Sequence, residues 1–270
     1  MAQTGIWTSE PPGLVNIGVD IGFLAGSPTE DADHFYGDAI LVVGLLGGIV
    51  LVELALTPSD NFVDGLGGND VMEGNGGNDT LFGSGGDDFL LGGRGQDYLF
   101  GGADDDRLRG GGKRDFLDGG SGEDTIVGGG GNDTLDGGNG NDILRGGGGK
   151  DLLIGGDGRD KMRGGDGEDT FVLSGPDQPR DVLKDFVHGE DVIAVVGADF
   201  GLAAGTDLGA TGQFTANAGG LATGALGQFI YDTDDGLLIW DANGTGHGGR
   251  TVIATLTGAP TVTASDISVI

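Results

Sequence analysis

The chain has no cysteine, which excludes disulfide staples and thiolate metal sites. Histidine is nearly as scarce: His34, His188 and His247 are the only three. Positive charge is short too, with 13 Lys and Arg against 43 Asp and Glu and a net charge of −30. An acidic surface of that kind disfavours nucleic acid and anionic membranes as partners. The first basic residue is Arg94, so the basic start of a Sec-type signal peptide is absent. The longest apolar run, residues 39–56, holds three glycines and Glu53 and has no basic flanks. It reads as two buried strands around Gly47-Gly48 rather than a membrane span. There is no HExxH, no GxSxG around any serine and no nucleophilic thiol, so the expectation is a protein that is not an enzyme.

What is abundant is glycine, 63 of 270 residues, and it is periodic. An aspartate recurs every nine residues in twelve copies: Asp70, Asp79, Asp88, Asp97, Asp106, Asp115, Asp124, Asp133, Asp142, Asp151, Asp160 and Asp169. With the unit starting at Gly65, the first position is always glycine, and the fourth is glycine except at Asp104 and Lys113. The eighth is always apolar, from Met72 through Leu81 and Leu90 to Phe171. A glycine turn, one carboxylate and a strand over positions seven to nine with its middle side chain inward make half a coil. Two repeats return the chain to its starting face. The fold expected is therefore an all-β solenoid, a parallel β-roll of six coils about 29 Å long at a strand spacing of ~4.8 Å.

One apolar side chain per nine residues cannot offset the ordering of so glycine-rich a chain, so a bound cation is expected to contribute folding free energy. Carboxylates and peptide carbonyls are hard donors on flexible turns, which suits the irregular shell of Ca²⁺. With no cysteine and no histidine inside the repeat, zinc and copper are disfavoured.

The nonapeptide GGxGxDxLx of residues 65–173 resembles the RTX, or haemolysin-type calcium-binding, repeat. The resemblance implies Ca²⁺ between turns one coil apart, held by the sixth-position aspartates and by carbonyls of the glycine turns. The aspartates then form two columns, one through Asp70, Asp88 and Asp106 and the other through Asp79, Asp97 and Asp115. Five gaps in each allow up to ten ions. Ten ions would bring +20, leaving about −10 of the −30. Asp104 and Lys113 depart from the pattern and put the gaps beside them in question. Beyond the array, residues 180–195 and 231–249 resemble the strand-rich segment and C-terminal cap of the same proteins. The terminal DISVI (266–270) is similar to the uncleaved type I secretion signal of the serralysin-like branch, with Ser268 interrupting its apolar tail. The resemblance thus implies a secreted, extracellular protein exported by type I machinery.

The division expected is residues 1–64 as strands capping or extending the roll, 65–173 as the roll, and 174–270 as a β-rich cap. DADHFYGD (31–38) and SDNFVDG (59–65) look like decayed repeats. DANGTG (241–246) reads as an ion site or an Asx-rich hairpin turn. Outward positions sort by face, because alternate repeats lie on opposite sides. One face shows Phe82, Tyr98, Phe100, Phe116, Leu152, Ile154 and Val172, and is expected to be covered by the C-terminal segment or another molecule, such as a second copy. The other shows Arg107, Arg109, Arg145, Lys161 and Arg163, either local charge balance or a track for an acidic polysaccharide. The second reading resembles the repeat modules of alginate-modifying enzymes. A calcium-folded secreted protein is the first reading, a polysaccharide-binding module the alternative.

Overall fold

The structure, a computed structural model, describes residues 34–36, 39–46, 49–56, 60–175, 180–224, 227–244 and 249–270, the first three segments by backbone alone. Two sheets form the walls of a β-solenoid. A ten-stranded sheet runs His34–Tyr36, Phe62–Asp64, Thr80–Gly85, Tyr98–Ala103, Phe116–Ser121, Thr134–Asn139, Leu152–Ile154, Thr170–Leu173, Val192–Val195 and Ile267–Val269. A thirteen-stranded sheet takes the alternate repeats, from Val71–Glu73 to Lys161–Asp166, and continues at both ends. Within the array every pairing is parallel with a register of eighteen residues, for instance Leu117 beside Leu135 and Ile126 beside Leu144. Two nonapeptides therefore make one coil.

The eighth-position side chains stack into one core, Leu81 to Phe171 being fully buried apart from a trace at Leu108. Most strands are twice as long as the three residues expected, for example Thr134–Asn139. The reason is that the ladder runs on through the first three residues of the next repeat, pairing Gly120 with Gly138 and Ser121 with Asn139, although Gly138 itself has φ 89°. First-position glycines such as Gly128 and Gly137 face inward and are buried, and a Cβ there would strike the carboxylate of Asp133 or Asp142.

The roll runs past residue 173. Asp181–Leu183 pairs in parallel with Lys161–Asp166, and Val192–Val195 with Thr170–Leu173. Ile267–Val269 then adds the last strand of the smaller sheet, with Ile267 and Val269 buried and Ser268 outward. The serine that interrupts the apolar tail is simply the outward residue of a two-residue period. The larger sheet ends in Arg250–Leu256, Leu237–Asp241, Gln228–Asp232 and Phe214–Asn217, with Phe200, Phe229 and Trp240 packed together at ring separations of 4.8–5.3 Å.

At the other end, Ala39–Leu46 and Ile49–Leu56 form an antiparallel hairpin across Gly47-Gly48, and its second strand joins Val71–Glu73 in parallel. The expected strands are there; the burial expected for their side chains lies outside the described residues. Phe62–Asp64 behaves as a repeat, parallel to Thr80–Phe82 in the same register. His34–Tyr36 does not: it pairs antiparallel to Phe62–Asp64, a direction no solenoid repeat can take. The rest of DADHFYGD, and residues 1–33, lie outside the described residues. No helix among the described residues is long and apolar enough to cross a membrane.

Neighbouring glycines divide sharply in what they tolerate. Gly149 has φ 134° and a Cβ there would collide with the Gly131 carbonyl, whereas Gly148 has open space around its Cβ. Gly149→Ala should cost more than about 3 kcal/mol, strain and collision together. Gly148→Ala should lie within about 0.5 kcal/mol of wild type. Chemical denaturation of both variants in saturating Ca²⁺ checks this, and equal midpoints would show that the turn is not held in this shape.

Candidate metal centre

Each aspartate of the array is held in the same way. Its backbone N–H donates to the Oδ1 of the aspartate one coil further on: Asp79 to Asp97 at 2.8 Å, Asp124 to Asp142 at 2.8 Å, Asp151 to Asp169 at 3.0 Å. All twelve expected aspartates take part, and the ladder links them into the two columns that the resemblance implies. From Asp79 to Asp169 the residues are buried, at 2% exposure or less.

The second carboxylate oxygen is different. In each aspartate from Asp79 to Asp169 the Oδ2 atom is buried and accepts no hydrogen bond. A buried acceptor without a donor costs about 1–3 kcal/mol, and more when charged. Eleven of them at regular spacing, in columns of like charge, call for a cation or for protons. Burial accordingly pushes these carboxyls up from 3.8: Asp106, Asp115 and Asp142 to about 7, and Asp79, Asp88, Asp124, Asp151 and Asp169 to about 6. Neighbouring aspartates of the same column add to the rise at Asp106, Asp115 and Asp142.

The turns supply further donors. Fourth-position carbonyls point along the column, so that a Cβ on Gly95, Gly140 or Gly158 would collide with the oxygen of Gly77, Gly122 or Gly140. No described backbone N–H donates to these oxygens. No three acidic or histidine side chains converge among the described residues, so carboxylates alone do not make a cage. The donor set that fits is aspartate oxygens completed by turn carbonyls, all hard and flexibly placed, as Ca²⁺ prefers.

Sequence spacing missed three features. The ladder continues to Asp181 and Asp191, which accept from Asp160 and Asp169 at 3.0 Å across offsets of 21 and 22 residues. The broken period hid them, although DVL and DVI repeat the Asp-x-apolar signature. Both oxygens of Asp191 are engaged, the second by the Val187 N–H at 2.7 Å, so the protein itself closes that column. An outer ladder also runs through the fifth positions in the opposite sense. There the later coil's N–H donates to the earlier side chain: Gln96 to Asn78 at 2.9 Å, Glu123 to Asp105 at 2.7 Å and Lys150 to Asn132 at 3.0 Å. Thirdly, Lys184 joins the basic face beyond the periodic region.

That face is the larger sheet, where Arg107, Arg109, Arg145, Lys161 and Arg163 are all exposed. They form two groups rather than one stripe, separated by Thr125 and Val127, and Phe89 and Leu91 share the sheet. Arg145, Lys161, Arg163 and Lys184 surround a cavity of about 420 Å³ with Ile143, Leu144 and Asp185. Arg163 pairs with Asp185 at 3.0 Å. Of the two covers expected for the apolar face, the described C-terminal segment is not one: it continues the roll along its axis, leaving Phe62 and Tyr98 about half exposed. The rings shelter one another instead, with centroids 5.5, 4.8 and 5.7 Å apart along Phe62, Phe82, Phe100 and Phe116. Asp241 accepts from the N–H groups of Asn243 and Gly244 and faces Arg250, an Asx turn, while residues 245–246 of DANGTG lie outside the described residues.

Residues 64–99, 100–135 and 136–171 each match the family model of the RTX calcium-binding nonapeptide repeat (4 copies). Among solved structures the chain is similar to the AlgE6R3 subunit of the Azotobacter vinelandii mannuronan C5-epimerase. Identity is 26%, over 61% of this chain and 77% of that one, with a TM-score of 0.27. It is also similar to the extracellular lipase LipA of Serratia marcescens at 18% identity and a TM-score of 0.20; the match covers 83% of this chain and 43% of the lipase. No curated protein matches.

The raised carboxyls give the metal-free fold a pH dependence of known sign. Between 3.8 and about 7 the folded form holds more protons than the unfolded chain. Its stability therefore rises as pH falls through that window and levels off below it. In EDTA, far-UV circular dichroism should show β structure increasing from pH 7.5 to pH 4.5. A signal that stays flat or falls over that range would mean the carboxylates are not buried in the metal-free chain.

Proposed function

We infer, from the match of residues 64–171 to the RTX calcium-binding nonapeptide repeat, a secreted, non-catalytic protein that folds on binding several extracellular Ca²⁺ ions. The observation that carries this reading is the recurring buried Oδ2 without a donor, from Asp79 to Asp169. Asp70, Asp79, Asp88, Asp97, Asp106, Asp115, Asp124, Asp133, Asp142, Asp151, Asp160 and Asp169 would hold the ions, with fourth-position carbonyls completing each shell. Bound ions neutralise the columns; the chain contributes the spacing and the exclusion of water. In the low calcium of a cytosol the columns repel and the chain stays extended, a form suited to export by type I machinery. Outside the cell, calcium near millimolar drives folding by mass action.

A second reading concerns the basic cavity. Arg145, Lys161 and Lys184 stand there with a single carboxylate, Asp185, which already pairs with Arg163. On so acidic a protein, four cations around one cavity suit an acidic polysaccharide, whose carboxylates Arg pairs with in two-point fashion.

Titrating Ca²⁺ into EDTA-stripped protein should produce a cooperative coil-to-β transition with several ions bound per chain, while Mg²⁺ at equal concentration does little. A chain fully β-structured in EDTA at neutral pH, unchanged by Ca²⁺, would falsify the first reading. For the second, Arg145→Glu with Arg163→Glu in calcium-loaded protein should weaken binding to a polyuronate by about tenfold or more at low salt. Equal affinity of wild type and variant sinks it.

A further inference from the structure

Two outward pairs of like charge stand on opposite walls of the roll. Asp118 and Asp136 lie directly across from each other on neighbouring strands of the smaller sheet, both half-buried. Arg145 and Arg163 stand in the same relation on the larger sheet, both exposed. Like charges set opposite one another destabilise a sheet unless something of opposite sign meets them. Among the described residues Asp118, Asp136 and Arg145 have no ion pair, and Arg163 has only Asp185. Both sheets are parallel with an eighteen-residue register here, so each pair is spaced by one strand. The acidic pair of one copy therefore matches the basic pair of another without adjustment.

The match extends along the two faces. Let the smaller sheet of one copy face the larger sheet of another, axes parallel and displaced by one coil. Phe116–Ser121 and Thr134–Asn139 then lie over Ile143–Gly148 and Lys161–Asp166, acidic pair over basic pair. One coil earlier, Tyr98 and Phe100 fall opposite Thr125 and Val127. The coil before that puts Phe82 opposite Arg107 and Arg109, ring against guanidinium. The first brings the half-exposed Phe62 to Phe89 and Leu91. No like charges are opposed in these four coils. Without the displacement, Asp118 would face Thr125 and Val127, and Leu152 and Ile154 would face Lys161 and Arg163.

We propose that a second copy of this chain covers the aromatic face: the smaller sheet of one roll docks on the larger sheet of the next, with Asp118 and Asp136 entering the basic cavity at Arg145 and Arg163. The two surfaces differ, so every copy keeps one of each to offer and the association is open-ended, a row of rolls side by side. It rests on the faces of the folded roll and not on what the columns bind. An acidic polysaccharide takes the same cations, and so competes with the second copy.

Sedimentation of calcium-loaded protein tests this. Wild type should gain mass with concentration at low salt and lose it as salt is added. Asp118→Lys with Asp136→Lys sets lysines against the arginines, and Arg145→Glu with Arg163→Glu sets glutamates against the aspartates. Each double variant alone should sediment as a monomer. In their equimolar mixture both junctions again join opposite charges, and the wild-type masses should return. Circular dichroism checks that the variants keep the β signal; if either loses it, the isosteric Asp118→Asn with Asp136→Asn must weaken association instead. A wild type that stays monomeric at every concentration overturns the proposal. So does association that a folded variant keeps undiminished, or a mixture of folded variants that stays monomeric.

Discussion

Like-charge repulsion between carboxylates one strand spacing apart is the constraint on which everything else in this roll depends. Parallel coils at a register of eighteen residues set aspartate upon aspartate in two files. One oxygen of each is anchored to the N–H of the preceding coil, and that bond aligns the files so well that the repulsion cannot be avoided by turning the side chain away. The geometry that organises the backbone and the electrostatics that oppose it come from the same atom group. The folded roll thus holds carboxyls whose charged form both burial and their column neighbours disfavour, as at Asp106 and Asp142.

Glycine follows from that arrangement rather than from a general need for flexibility. First-position glycines are buried because the aspartate carboxylate lies against them, and fourth-position residues take positive φ because their carbonyls run along the column. The core of the array is correspondingly thin, one apolar side chain per half coil.

Much of this was legible in the sequence because a nine-residue period is a geometric statement. Asp70 to Asp169, the inward Leu81 or Leu135 and the alternation of faces all follow from counting. What counting could not reach lies where the period breaks or where side chains meet across coils. Asp181 and Asp191 keep the ladder across offsets of 21 and 22 residues where the period allots eighteen. The fifth-position ladder looks like unremarkable polar surface until the coils are stacked. On the aromatic face, counting placed Phe82 and Phe100 on one side but not the stacking of their rings, 4.8 Å between centroids.

The two ladders run in opposite senses, the inner one donating toward the later coil and the outer one toward the earlier. Every interior coil is consequently both giver and receiver, and none is distinguishable to its neighbours by position. Such an array has a natural quantum of length. Gaining or losing eighteen residues leaves each ladder, face and file in phase, whereas nine would carry every downstream residue to the opposite sheet. The aromatic file would be cut and its continuation set among arginines. Growth of this molecule by duplication is thus restricted to whole coils, even though its sequence repeats in halves.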